Sequence, residues 1–130
     1  MGAKSNLRYH LVLVTKYRKP ALAGVENDII SAFYQAAKKT SMKIEKIAVE
    51  NGDHVHLVVR TTGTYSLSST VARIKMLTTK SLWGSHSTHL RRLYWSKRKK
   101  LWSGGYYAAT VGDVSIDYVK KYLEKQGHWK

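Results

Sequence analysis

Asn51-Gly52-Asp53 stands between two strand-like runs, Lys43 to Glu50 (KIEKIAVE) and His54 to Arg60 (HVHLVVR). Asn-Gly accepts the backbone a tight turn requires, so the stretch predicts an antiparallel hairpin. Strand side chains alternate between faces. His54 and His56 therefore share one face, and Val55, Leu57 and Val59 share the other. Two imidazoles side by side make half of a divalent-metal site, to be completed by one or two ligands from elsewhere. The plainer reading is two polar residues on the wetter face of a sheet.

The remaining elements arrange themselves around that hairpin. Residues 1–7 form a loose polar start. Arg8 to Thr15 (RYHLVLVT) predicts a central strand, with His10, Val12 and Val14 on one face and Leu11 and Leu13 on the other. Its exit, Lys16-Tyr17-Arg18-Lys19, is basic and aromatic, suited to phosphate or to a solvated rim, and Pro20 ends it. From about Asn27 to Thr40, Ile29, Ile30, Phe33, Ala36 and Ala37 recur at helical spacing. Asn27 or Asp28 would cap that helix, and Lys38 and Lys39 would fall in its last turn. A Thr/Gly/Ser-rich link, Thr61 to Ser66, leads to a second helix with Leu67, Val71, Ile74 and either Leu77 or Thr78 inward. Ser66 or Ser68 would cap it, leaving Arg73, Lys75 and Lys80 on other faces. Trp83 to Gly105 is the least regular segment. Tyr106 to Val111 predicts a fourth strand, Gly112-Asp113 a turn, and Ser115 to Gln126 a last helix, capped by Ser115 and stopped by Gly127.

The order is β-α-β-β-α-β followed by α. It predicts an α+β fold in a single domain over residues 1–130: the ferredoxin-like, split βαβ antiparallel sheet with an additional C-terminal helix. Two helices would cover one face, and the first and third strands would lie centrally. The terminal helix would close over the uncovered face or pack on a partner subunit.

Charge narrows the partner. Twenty-three Lys and Arg oppose eight Asp and Glu, a net +15, which favours nucleic acid over a membrane surface. Four Trp and nine Tyr against one Phe favour rings that stack on unpaired bases. The irregular segment concentrates both properties. Arg91, Arg92, Lys97, Arg98, Lys99 and Lys100 interleave with Tyr94, Trp95 and Trp102 and with no acidic residue. With Lys16, Arg18 and Lys19, these cations and the two tryptophans are the candidate DNA contacts. Cysteine is absent, which removes disulfides and thiol chemistry and suits a reducing interior. No apolar run is long enough to span a membrane, and no signal-peptide core opens the chain.

Near the end of the chain, Tyr122 and Gln126 are four residues apart, one turn along a helix face. Tyrosine can serve as a nucleophile and a glutamine carbonyl oxygen as a hard-metal ligand. Singly, each also reads as an ordinary packed or solvated residue. Tyr118, one turn earlier, is the rival nucleophile. Together with HLVLVTKYRKP (His10 to Pro20), GDHVHLVV (Gly52 to Val59) and LWSGGYYAATVG (Leu101 to Gly112), the YLEKQ of Tyr122 to Gln126 resembles the single-tyrosine transposases of the IS200/IS605 class. These belong to the HUH endonuclease superfamily, named for histidine, hydrophobic residue, histidine. The landmarks lie in family order over nearly the whole chain. Asn-Gly-Asp stands where relatives often have Met-Pro-Asp.

The resemblance implies a domain that cleaves and rejoins single-stranded DNA through a 5′-phosphotyrosine and recognises hairpins at element ends. Tyr122 would be the nucleophile, with His54, His56 and Gln126 ligating Mg²⁺ or Mn²⁺. His10 and Asp53 are possible supports behind those ligands. It also implies a homodimer, in which one subunit's tyrosine helix can complete the partner's histidine pair, working in a prokaryotic cytoplasm at the nucleoid. Two other readings remain: a non-catalytic single-stranded nucleic-acid-binding module on the same fold, and a replication-initiating or plasmid-relaxing nuclease. The latter often carries further ligands and domains.

Overall fold

The structure, a computed structural model, describes residues 7–61, 66–95 and 97–111. The terminal helix expected from Ser115 falls outside these residues, with Tyr118, Tyr122 and Gln126 on it. Strand β1 (Leu7–Val14) is followed by a short 3₁₀ turn at Lys16–Arg18 and helix α1 (Glu26–Ala37). The hairpin strands are β2 (Met42–Glu50) and β3 (His54–Thr61). Helices α2 (Leu67–Ser85) and α3 (Ser87–Leu93) then precede β4 (Tyr107–Thr110). Every pairing is antiparallel, in the order β2-β3-β1-β4, so β1 and β3 are central as the ferredoxin-like reading predicts.

The hairpin forms as its residues dictate. Asn51 and Gly52 adopt φ of 55° and 69°, the left-handed pair that reverses a two-stranded ribbon without splaying it. One inward row, Leu11 and Leu13 of β1 with Val55, Leu57 and Val59 of β3, is buried in the main core with Phe33 of α1 and Ile74 of α2. His10, Val12, Val14, His54 and His56 take the opposite face by alternation. There Val12 and Val14 pack with Tyr107. In β2 a register shift between Ile44 and Lys46 re-phases the strand. Ile44, Ile47 and Val49 can then all join the main core, while Glu50 pairs across from His54 on the open face.

Several expectations are corrected. The residue capping α1 is Val25, without a side-chain bond, so neither Asn27 nor Asp28 caps it. Asp28 is drawn instead to His86, Oδ2 to Nε2 2.5 Å. The helix ends at Ala37, which leaves Lys38 as its C-cap and Lys39 beyond it. On α2 the cap is Ser66, whose Oγ accepts from the Ser69 amide at 3.1 Å. Thr78, not Leu77, is the fully buried member of the stripe, and its hydroxyl donates to the Ile74 carbonyl at 2.8 Å. The segment from Trp83 is more regular than its charge suggested: α2 continues to Ser85, and α3 holds Leu90 in the core. Arg91 and Arg92 fall in the last turn of α3, where cations complement the helix dipole.

Gly52 also meets a neighbour. A Cβ there would lie 3.0 Å from the Ala23 Cβ, and the Gly52 carbonyl accepts from Leu22 N at 2.8 Å. Gly24 has a similar φ of 80° but open space around it. Gly52→Ala should therefore cost about 2–4 kcal/mol, joining left-handed strain to a clash, and Gly24→Ala only about 1–2 kcal/mol. Urea denaturation of both variants checks this; equal losses would remove the close approach from the account.

Candidate active site and nucleic-acid interface

The neighbouring ends of the two central strands build the histidine face. Val14 stands opposite His54 and Val12 opposite His56. His54 is 2% exposed and has a carboxylate at each ring nitrogen: Nδ1 lies 2.8 Å from Asp53 Oδ1, and Nε2 lies 3.0 Å from Glu50 Oε1. Asp53 is held in turn by Arg18, whose Nε donates to Oδ2 at 3.0 Å. These two side chains are 12% and 13% exposed. The Asp53 main-chain oxygen also accepts from Thr15, from the amide at 2.9 Å and the hydroxyl at 3.1 Å. Tyr17 and Arg18 both sit in left-handed backbone, φ 60° and 54°, at a cost of order 1–3 kcal/mol each. Arg18 is thus turned inward onto Asp53. It is not the open phosphate contact the sequence suggested.

His10 reaches the same face from β1. Its Nδ1 lies 3.4 Å from His56 Nε2, with ring centroids 5.6 Å apart. Burial lowers the pKa of both rings below the ordinary 6.5, reinforced at His10 by Arg8 and at His56 by His10. Neutral imidazoles are the ligand form. Asp53 on Nδ1 leaves Nε2 as the ligating atom of His54, the support that metal-binding histidines usually receive. A carboxylate oxygen, Glu50 Oε1, stands 3.0 Å from that Nε2. The donor set of imidazoles beside carboxylates thus suits a divalent metal. Among the described residues no three His, Asp or Glu side chains converge on one point, so they supply half a site. Gln126, the expected third donor, and Tyr122 lie outside them.

The basic residues divide. Lys16, Arg98, Lys99 and Lys100 line one cleft of about 540 Å³ together with Lys75 and Lys80 of α2, which charge on a helix face alone had not singled out. Lys75 also anchors the loop, its Nζ donating to the Ser103 and Gly105 carbonyls at 2.8 and 2.7 Å; burial, with Lys16 nearby, lowers its pKa. Lys19, Arg91, Arg92, Trp95 and Lys97 line the two clefts around Tyr94. Trp102 does not face DNA. It is buried edge-on against Phe33 at 5.7 Å, and its Nε1 donates to Thr78 Oγ1 at 3.0 Å. Glu50 was missed as a site residue, because its place beside His54 depends on the irregular register of β2. Among the described residues no helix is long and apolar enough to cross a membrane.

The family described as "Transposase IS200 like" matches residues 3–126. The transposase for insertion sequence element IS200 of Salmonella typhimurium is 27% identical over 92% of this chain and 79% of its own. The ISDra2 transposase TnpA of Deinococcus radiodurans is 26% identical over 96% and 87%. The fold is shared with the crystal structure of a candidate transposase from Deinococcus radiodurans R1 (TM-score 0.82, 24% identity, 97% of this chain and 95% of that one). It is also shared with a REP-associated tyrosine transposase bound to a REP hairpin (TM-score 0.60, 14% identity, 99% and 73%).

Asp53→Asn leaves the buried Arg18 guanidinium without its carboxylate and should destabilise the protein by about 2–4 kcal/mol. Adding Arg18→Met should recover much of that loss, because the unpaired charge is what costs. Urea denaturation through the full double-mutant cycle tests this coupling; strictly additive losses would refute it. Folding also depresses the pKa of His10 and His56, so the unfolded chain binds protons that the native rings refuse. Their contribution is complete above the ordinary pKa of 6.5 and is lost as pH falls below it. Thermal melts at pH 7.5 and 5 should show a shallower acid loss for His10→Gln than for the native chain.

Proposed function

The chain belongs to the family of IS200-like transposases, and on that premise we propose that it cuts and rejoins single-stranded DNA with Tyr122 as nucleophile. The observation that carries this reading is the imidazole pair, His54 and His56, two residues apart on the sheet face opposite the main core, with His54 backed by Asp53 and Arg18. In the first step the Tyr122 hydroxyl oxygen bonds to phosphorus as the bond to the 3′ oxygen breaks, which leaves a 5′-phosphotyrosine and a free 3′-hydroxyl. Attack by a 3′-hydroxyl on that ester reverses the step and rejoins a strand, with no external energy source. Free tyrosine loses its proton only near pH ~10, so the hydroxyl needs help. Lys120, Lys121 and Lys125 are the cations nearest it in sequence.

His54 and His56, with Gln126, would hold Mg²⁺ or Mn²⁺. Bound there, the ion would polarise the non-bridging phosphate oxygens and offset charge that builds during transfer. Asp53 keeps the His54 ring oriented, and burial, reinforced by His10, favours the neutral, ligating form of His56. Membership of the IS200-like family supports a homodimer in which one subunit's tyrosine segment completes the partner's histidine pair. The clefts lined by cations support a single-stranded, hairpin-forming partner, in line with the hairpin held by the REP-associated relative.

End-labelled single strands from the flanks of the source gene, run on denaturing gels, test this reading. With Mn²⁺ or Mg²⁺ the native chain should form a covalent adduct that chelator prevents. Tyr122→Phe should abolish the adduct while hairpin binding is retained. Unchanged cleavage by that variant would overturn the nucleophile. Hairpin binding with no adduct on any end sequence would leave a non-catalytic binding module on the same fold.

A further inference from the structure

Trp95 is 90% exposed, yet its orientation is set. The preceding residue, Tyr94, is buried, and its hydroxyl donates to the Lys16 carbonyl at 3.0 Å. Tyr94 has extended backbone (φ −125°, ψ 102°), so the next side chain is sent outward. The indole Nε1 then donates to the Arg92 carbonyl at 3.3 Å, which ties the ring to the end of α3. An indole is a large apolar body to leave in water, and one fixed in place offers contact area at little entropic cost.

Two clefts share Trp95 as a wall. One, of about 560 Å³, carries Lys19, Arg92 and Lys100 and the Tyr17 ring. The other, of about 490 Å³, carries Arg91, Lys97 and Lys99. Among the described residues no acidic side chain lines either of them. Tyr17 is itself 64% exposed, with Lys16 and Lys100 ammonium groups 5.2 and 5.4 Å from its ring centre. An exposed aromatic plane with cations on both flanks matches the alternation of base and phosphate along an unpaired strand. A protein partner of ordinary surface would leave six cations uncompensated, whereas a nucleic-acid strand supplies a phosphate at every step.

We propose that Trp95 is a stacking platform for one unpaired base of single-stranded DNA, with the phosphates on its two sides drawn into the two basic clefts. This rests on the DNA reading above and adds to it the place where an unpaired nucleotide is held. It stands just past the end of α3, and neither cleft is lined by His54 or His56. Binding there should therefore persist without the metal.

The test is equilibrium binding, with chelator present, of a short oligothymidylate, the same strand with a single abasic position walked along it, and a blunt duplex of equal length. Trp95→Ala should weaken binding of the intact strand roughly ten- to a hundredfold. It should leave the duplex little changed, and Trp95→Tyr should restore most of the loss. One abasic position should reproduce the loss in the native chain and add nothing in Trp95→Ala. Lys97→Ala should instead weaken strand and duplex alike and reduce the salt slope by about one. An equal effect of Trp95→Ala on strand and duplex, or none on either, overturns the platform. Adduct formation on the native chain is scored separately. An adduct with no Trp95 dependence fails the platform and keeps the transposase reading; Trp95-dependent binding without any adduct does the reverse.

Discussion

The ion pair between Arg18 and Asp53 ties the exit of β1 to the entry of β3 and, through Asp53, to His54. Its partners are 35 residues apart in sequence but come from neighbouring ends of adjacent strands. Taking both charges out of water is expensive, and such a pair holds only when their remaining hydrogen-bonding capacity is used. Asp53 meets that condition. One carboxylate oxygen faces Arg18, the other faces His54, and its main-chain carbonyl accepts twice from Thr15. Arg18 meets it less fully, since its Nη1 is buried with no hydrogen-bond partner among the described residues. The same contacts hold Tyr17 and Arg18 in left-handed backbone, which the chain would not keep unsupported. Strain in the loop and order in the imidazole are thus two ends of one network.

That network makes the sheet's two faces do different work. On one face Leu11, Leu13, Val55, Leu57 and Val59 enter the core shared with α1 and α2. The alternate residues of the same strands set His10, His54 and His56 along the other face, with His10 against His56. Their positions follow from strand pairing alone, without any flexible loop, which is how a site gains precision from rigid elements. The β2 irregularity completes the arrangement by giving the core three apolar residues and the open face Glu50. Glu45, at that irregularity, meets Arg8 at 2.8 Å and Arg60 at 3.0 Å, binding the far ends of β1 and β3 with charge as Asp53 binds the near ones.

The hairpin, the shared face of His54 and His56, and the pairing of β1 with β3 were legible because each depends on nearest-neighbour rules: turn chemistry, period two and element order. His10 was legible as a face position for the same reason. Arg18 and Trp102 were misread for a common cause. A guanidinium or an indole has the same one-letter identity in a DNA groove and in a core, and only partners distant in sequence decide between them. Here those are Asp53 for Arg18, and Phe33 and Thr78 for Trp102. Helix α3 escaped notice because seven residues hold too few turns to show a period. Glu50 escaped because a one-residue shift in β2 cannot be seen in an alternation that tolerates it.

The misreading of Trp102 bears on how the basic segment works. Residues 97–103 belong to a stitched loop. Lys16 N donates to the Leu101 carbonyl and Ser103 N to the Val14 carbonyl, each at 2.8 Å; Trp83 Nε1 donates to the Lys100 carbonyl, also at 2.8 Å. With Trp102 sunk beneath it, this loop presents its lysines from a fixed backbone. Their attraction for phosphate is therefore not spent on ordering the loop. Attraction of that kind carries no base information and fades over a Debye length of about 8 Å in physiological salt. Stacking on an exposed ring depends on unpaired bases and is far less sensitive to salt. A surface of net charge +15 would otherwise hold any polyanion equally well. An exposed ring set between the cations is the element by which such a surface can prefer an unpaired strand to a duplex.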